Sequence, residues 1–323
     1  MARANAAAPL RVTTQHNSTV SGAAGARGIR TSVTPMRPPV GTAGAWVRAI
    51  RVRQWPKNLL VFGAPAAAGA LTQVRVLERA GLMALAFCLL SSGAYLLNDL
   101  HDVREDRNHP VKRHRPIASG AIAAGAARLV ALLALAAGLG LAGSLGVAGL
   151  AIAGGYAGLN FAYTGWLRRV AVADIAAIAA AFVIRAAAGG VAAGVPISRW
   201  LFVVVSFSAL FVAAGKRYSD WLDPASRGSR RVLSDYNPDF LRLILAASSA
   251  VALGAYCLWA FQPGPPGAVV WREATIAPFT LALLRYGLLV TGGRGGAPEE
   301  IMLTDRFIQC AGLVWLLTFA LGL

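Results

Sequence analysis

Apolar segments about as long as a bilayer is thick recur along almost the whole of this chain, and nothing else constrains its fold so strongly. They lie near 58–71, which is short, and then at 80–97, 121–143, 145–163, 170–195, 199–215, 240–261, 274–290 and 307–323. A hydrocarbon core of about 30 Å takes about 20 helical residues to cross. No water there can satisfy backbone polar groups, so only helices or closed barrels span it. The segments are rich in Ala, Leu, Val and Gly and lack the period-2 alternation of a barrel strand. The sequence therefore predicts an all-α integral membrane protein with nine transmembrane helices. Composition agrees, since 56% of the 323 residues are hydrophobic and 14% are charged, too apolar for one soluble core.

The formal net charge of +17 would by itself suggest nucleic acid as a partner. The basic residues alternate with the spans instead of forming one patch, which argues against that class. Lys and Arg gather around Arg48, Arg51, Arg53 and Lys57, in 98–120, at Arg168 and Arg169, and in 216–238. The intervening connections hold only Arg75, Arg79, Arg199 and Arg272. With nine spans every basic segment falls on one side, so the N-terminus is expected inside and the C-terminus outside. The chain is expected in the plasma membrane, with lipid as a partner, no nucleic acid, and its active site on the cytoplasmic face.

Residues 1–44 have the Ala-, Thr-, Ser-, Gly-, Pro- and Arg-rich composition of a disordered tail, and residues 45–323 are expected to form one nine-helix domain. The tail's bias superficially suits a transit peptide, but a GC-rich bacterial genome would produce it too and is the preferred reading. From Trp46 to Lys57 the pattern is that of an interfacial helix, with Arg53 and Lys57, four apart, on one face. Cys88, Cys257 and Cys310 sit in spans and are expected free. His16, His101, His109 and His114 lack the spacing of a zinc site.

Charge of both signs is dense in the connections 98–120 and 216–239, and chemistry is expected there. The first opens with Asn98-Asp99-Leu100-His101-Asp102-Val103-Arg104-Glu105-Asp106, which should prolong the second span as a helix until Pro110 stops it. Asn98, Asp102 and Asp106 recur every four residues, and Asp99 precedes Asp102 by three, so all four share one side. Carboxylates at that spacing repel by a few tenths of a kcal/mol and need neutralising. Oxygen-only ligands suit Mg²⁺, which substrate phosphates would complete. The alternative is a solvated helix end whose acids pair with Arg104, Arg107 and Lys112. Lys112, Arg113 and Arg115 follow, and the second connection carries Lys216, Arg217 and Tyr218, then Asp220 and Asp223. A metal bordered by fixed cations can hold a diphosphate and stabilise its departure.

The run NDLHDVRED resembles the NDxxDxxxD motif of the UbiA superfamily of intramembrane prenyltransferases, and the resemblance covers about residues 46–323. RQWPKNLLVF (53–62), NDLHDVREDRNHPVKRHRPIASG (98–120), FVIRAAAGGVA (182–192) and FVAAGKRYSD (211–220) resemble its decaprenyl-phosphate phosphoribosyltransferase branch. The resemblance implies a UbiA-type bundle with cytoplasmic helical loops and Mg²⁺ on Asn98, Asp102 and Asp106. Asp99, Asp102 and Asp106 would serve catalysis. It implies phosphoribosyl diphosphate as donor and a polyprenyl phosphate as acceptor, giving a precursor of cell-wall arabinan.

Lys57, Tyr95, Lys112, Arg113 and Arg115 are then candidate donor contacts, while Lys216 and Arg217, beside Tyr218, would hold the 5-phosphate or the lipid phosphate. Tyr163 and Arg168 would border the same cavity. Arg185, a charge inside a span, is expected to face that cavity and meet an anion or an acid such as Asp174. Two departures accompany the resemblance. Lys216-Arg217-Tyr218-Ser219-Asp220 stands where the family carries a second acidic motif, and Arg168 stands where Lys is common. A conventional prenyltransferase acting on an aromatic acceptor is the nearest rival. A transporter is the rival from another class, but the chain lacks the internal symmetry of one. A homo-oligomer is compatible with the sequence.

Overall fold

The structure is a computed structural model that describes residues 42–229 and 231–322. The tail expected over 1–44 lies outside them except for residues 42–44, which open a helix. Among the described residues the elements are all helical. They are α1 (Thr42–Ala49), a 3₁₀ helix (Val52–Phe62), α2 (Gly63–Ala67), α3 (Val74–His101), α4 (Val103–Asn108), α5 (Ala124–Ser144), α6 (Val147–Gly165) and α7 (Ala173–Ala193). The second half holds α8 (Arg199–Leu222), α9 (Pro224–Ser229), α10 (Pro238–Ala260), α11 (Pro266–Ala274), α12 (Ile276–Thr291), α13 (Pro298–Thr304) and α14 (Arg306–Leu321).

Among the described residues six helices are long and apolar enough to cross a membrane: α3, α5, α7, α8, α10 and the stretch Gly267–Thr291 that joins α11 to α12. A seventh is reached if α13 and α14, bent by 80°, count as one. The shortfall from nine has three local causes. Segment 58–71 divides between the 3₁₀ helix and the five-residue α2. Helix α6 carries Tyr156, Asn160, Tyr163 and Thr164, which dilute its hydropathy. Helix α14 alone is 16 residues long.

Small residues set the packing, as expected where lipid gives helices no hydrophobic drive to associate. Gly93 of α3 and Gly138 of α5 face each other's helices: a Cβ on the first would stand 2.9 Å from the Ala131 carbonyl oxygen, and on the second 3.0 Å from that of Ala86. The 3₁₀ helix lies so close to α7 that a Cβ on Gly189 would fall 1.7 Å from the Val61 carbonyl oxygen. One core gathers Val61, Phe87, Leu90 and Tyr156 between α3, α5, α6 and α7. A second gathers Tyr218, Leu233, Leu241 and Val290 around α8, α10 and α12. Helix α7 packs on both α3 and α8 and so ties the two together. At one end of the bundle, Arg79 donates to the carbonyls of Ala192 and Leu145, where the last turns of α7 and α5 leave acceptors unpaired.

Candidate active site

The charged connections meet one another, and the Asp-rich run is their centre. Helix α3 does carry the chain through Asn98, but it ends at His101, and Asp102, with φ −88° and ψ 5°, forms the joint to the short α4. The run is therefore two helices in sequence and not one straight face. The 3-to-4-residue spacing survives because the Asp102 and Asp106 amides still donate to the carbonyls of Asn98 and Asp102. Helix α4 stops at Asn108, before Pro110, as the sequence predicts.

Arginines from elsewhere neutralise the three acids. Asp99, 3% exposed, accepts from Arg51 Nη2 at 2.7 Å and from Arg115 Nη1 at 3.2 Å. Arg115 also reaches Asp106 at 2.8 Å, and Arg168 holds both oxygens of Asp102 at 3.0 Å. The hydrogen bond to Asp102 holds the Arg168 guanidinium more basic than usual. Arg51 lies 4.7 Å over the Tyr95 ring. None of the bonds described here to Asp99, Asp102 or Asp106 comes from Arg104 or Arg107, two of the partners that a solvated helix end would supply.

Among the described residues no three His, Cys, Asp or Glu side chains converge as a ready cage. Asn98 Oδ1, one turn before Asp102, is buried and has no hydrogen-bond partner, a polar atom that ordinarily finds one. An amide oxygen beside carboxylates fits Mg²⁺, which binds through one or two carboxylates and keeps waters or phosphates for the rest. The residues fit a metal that arrives with its phosphates.

Around α8 the arrangement is tighter. Arg217, 1% exposed, donates from Nε to Asp174, from Nη1 to Asp220 at 3.0 Å and from Nη2 to the Tyr163 hydroxyl at 2.9 Å. Tyr236 donates to the other Asp174 oxygen and accepts from the Val172 amide at 2.7 Å. Val172 holds φ +67°, a conformation that costs a β-branched residue about 1–3 kcal/mol.

The structure thus corrects the expected pairing of Arg185 with Asp174. Arg185 instead donates to Asn58 Oδ1 at 2.9 Å, to the Ala181 carbonyl and to the Tyr156 hydroxyl, and stacks on the Tyr156 ring. Neutral acceptors rather than an acid hold this intramembrane cation.

The interfacial face is corrected too. In a 3₁₀ helix residues three apart eclipse, so Gln54 and Lys57 share a face while Arg53 points outward and is exposed; Arg51, with φ +57°, precedes the helix. That face meets a residue the sequence reading passed over. Glu299, on α13, accepts from Gln54 Nε2 at 2.7 Å and lies 3.2 Å from Lys57 Nζ. Burial pushes its carboxyl up, but Lys57 and Gln54 outweigh this and hold it down at about 2. The loop leading to α13 docks on α8, with the Gly295 amide donating to Ser219 Oγ at 2.8 Å. The adjacent acids Glu299 and Glu300 on a third charged connection, 291–306, were the available signal.

Asp99, Asp106, Arg115 and Tyr95 are thus brought together with Arg51, Asp102 with Arg168, and Tyr163 with Arg217. Lys216 is half-buried on α8. Lys112 and Arg113 lie on a 3₁₀ turn, Lys112–His114, where Arg113 is exposed. Tyr218 is not brought to this cluster, since it lies in the α8–α10 core and accepts from Arg242.

Comparison with known proteins agrees with this architecture. The profile of the UbiA prenyltransferase family matches residues 59–310. A decaprenyl-phosphate phosphoribosyltransferase of Corynebacterium glutamicum is 38% identical over 288 residues, 86% of this chain and 86% of that protein. One of Mycobacterium tuberculosis is 38% identical over 289 residues, 87% of this chain and 95% of its own. A UbiA homologue from Archaeoglobus fulgidus, solved bound to DMAPP and Mg²⁺, superposes with a TM-score of 0.67 at 18% identity, covering 86% of this chain and 97% of that one.

Proposed function

From the premise that this chain belongs to the UbiA prenyltransferase family, we propose that it transfers a 5-phosphoribosyl group from phosphoribosyl diphosphate to a polyprenyl phosphate. The observation that carries this reading is the 38% identity, across 86–87% of the chain, to relatives named decaprenyl-phosphate phosphoribosyltransferases. In the reaction an acceptor phosphate oxygen bonds to the ribose anomeric carbon as the bond from that carbon to diphosphate breaks. The acceptor is already an anion, so no strong base is needed.

Asn98 and Asp102, with Asp99 and Asp106 beside them, would hold Mg²⁺, which supplies charge stabilisation to the leaving diphosphate. Arg51, Arg115 and Arg168 already stand at these acids, and phosphate oxygens are alternative partners of the same bidentate kind. Lys57 and Lys216 remain donor or acceptor phosphate contacts in this proposal, with Lys112 and Arg113 at the rim. Residues 45–323 act as one domain crossing the plasma membrane nine times, N-terminus inside and C-terminus outside, with the charged end cytoplasmic. The alternation of basic connections with spans supports that orientation.

The test uses purified protein in detergent with Mg²⁺, polyprenyl phosphate and ribose-labelled phosphoribosyl diphosphate. Lipid-soluble label that disappears with EDTA and in Asp102→Ala is expected. No label, together with turnover of a prenyl diphosphate onto an aromatic acceptor, would place the chain with the conventional prenyltransferases instead.

A further inference from the structure

Glu299 has no place in the chemistry above, yet it is held with unusual care. It is a carboxylate with 18% of its side chain exposed, at the meeting of the third charged connection and the 3₁₀ helix. One oxygen, Oε1, is oriented by Gln54. The other, Oε2, has Lys57 Nζ as an ionic neighbour at 3.2 Å and no well-directed hydrogen-bond donor, although it is fully buried. A buried carboxylate oxygen left without a donor is costly unless something supplies one.

Its position relative to the Asp-rich run is set by the 3₁₀ helix and by Arg51, the residue before it. Arg51 grips Asp99 at one end, and Gln54 and Lys57 grip Glu299 at the other. Gln54 and Lys57 are one 3₁₀ turn apart, about 6 Å, and Arg51 stands just before the helix start at Val52. The cation Lys57 stands beside Glu299, whose Oε2 has this ion pair but no well-directed hydrogen bond. What an anionic ligand lying along that helix must still offer, to satisfy Glu299, is a hydroxyl donor. A carboxylate accepting from vicinal ribose hydroxyls is a recurrent solution to this problem.

We propose that Glu299 is the ribose-recognising residue of this site, accepting hydrogen bonds from the 2- and 3-hydroxyls of the phosphoribosyl donor while Lys57 engages one of its phosphates. The proposal rests on the phosphoribosyl-transfer reading and adds the residue that sets donor specificity. A prenyl diphosphate has no hydroxyl to give, so it would leave Oε2 unpaired, and a site built to bond a substrate hydroxyl rejects analogues that lack it. The loop before α13 is anchored for this task, because Gly295 sits so close to α8 that a Cβ would meet Ser219 Oγ at 2.6 Å.

The experiment compares phosphoribosyl diphosphate with its 2-deoxy and 3-deoxy analogues, using the full chain in detergent with Mg²⁺ and polyprenyl phosphate. Wild type is expected to favour the ribose donor in kcat/KM by about 10- to 100-fold over at least one deoxy analogue, the range of one hydrogen bond to a charged group. Glu299→Gln and Glu299→Ala are expected to lose kcat/KM for the ribose donor and to bring the ratio within about threefold of unity. Lys57→Met should raise KM for all three donors and leave the ratio standing. Glu299→Asp, checked like the others for an unchanged gel-filtration profile, should retain part of the discrimination. If wild type discriminates and Glu299→Gln discriminates as strongly, Glu299 only pairs with Lys57 and the proposal is overturned. Equal use of all donors by wild type overturns it as well. Transfer from none of them by wild type would instead refute phosphoribosyl transfer itself, and the assignment of Glu299 with it.

Discussion

Replacing Arg217 by Met separates a structural cation from a substrate contact. Arg217 and Asp174 are 1% and 0% exposed, and the arginine also serves Asp220 and the Tyr163 hydroxyl. Truncating it leaves Asp174 buried with only the Tyr236 hydroxyl as a side-chain donor. Breaking one half of a buried ion pair costs about 3–5 kcal/mol, because the abandoned charge remains desolvated. The remaining Tyr236 bond places this case near the lower end. At roughly 2–4 °C per kcal/mol for a chain of this order of size, the unfolding midpoint should fall by about 6–12 °C. Intrinsic fluorescence melting of ligand-free protein in detergent measures it, with inactivation half-life as a second readout. Arg217→Met with Asp174→Leu, which removes the more deeply buried of the two carboxylates that Arg217 serves, should recover part of the loss. A ligand-free Arg217→Met protein that melts with wild type while its transfer activity disappears would refute the reasoning, and would return Arg217 to the phosphate-binding role its sequence position suggests.

Three further outcomes follow from the same geometry. Gly189→Ala should destabilise the protein by about 2–4 kcal/mol or abolish its expression, because the new methyl meets the Val61 carbonyl and the 3₁₀ helix must move; Gly154→Ala, in open space on α6, is the control. The carboxyl of Glu299 is held at about 2 against an ordinary 4.5. A folded value below the unfolded one gives stability that is complete above about pH 4.5 and is lost as pH falls towards 2. The melting gap between wild type and Glu299→Gln, about 1–2 kcal/mol at pH 6 after allowing for solvent screening, should therefore narrow by pH 3. Arg168→Ala removes the bidentate competitor for Asp102, so ligand-free protein should bind Mn²⁺, read by electron paramagnetic resonance, about 3- to 10-fold more tightly.

The sequence exposed whatever depends on local spacing and hid whatever depends on which segments meet. Apolar length and the absence of alternation announced helices in lipid, and Pro110 marked the stop of the Asp-rich run because a proline ends a helix regardless of context. The acids were legible as a cluster for the same reason. Their partners were not: Arg51, Arg115 and Arg168 reach them from 48, 9–16 and 66 residues away, and no periodicity encodes such distances. The face of the interfacial segment was misjudged because Arg53 and Lys57 align only at 3.6 residues per turn, and the segment folded at three. Arg185 was matched with Asp174 on the general ground that an intramembrane charge needs a counter-charge. Asn58, the Ala181 carbonyl and Tyr156 satisfy it without one, and Asp174 was claimed by Arg217 from the next helix.

The arginine pairs change how an Asp-rich run should be understood. Stacked carboxylates need positive charge, and the sequence alone cannot say whether a metal or a guanidinium supplies it. Here guanidinium supplies it to Asp99, Asp102 and Asp106, and lysine supplies it to Glu299. A ligand of mixed character, a metal with a diphosphate, carries both signs and can exchange with such pairs at little net cost: carboxylates turn to the cation, guanidinium groups to the phosphates. Neither half of the ligand can do this alone, since a bare metal leaves arginines without anions and a bare diphosphate leaves carboxylates without cations. Binding of the two should therefore be strongly cooperative, by the reciprocity that links any two coupled ligands. On the proposed function, Asn98 Oδ1 and Glu299 Oε2, buried without a directed hydrogen bond, are where such a ligand would bring something of its own.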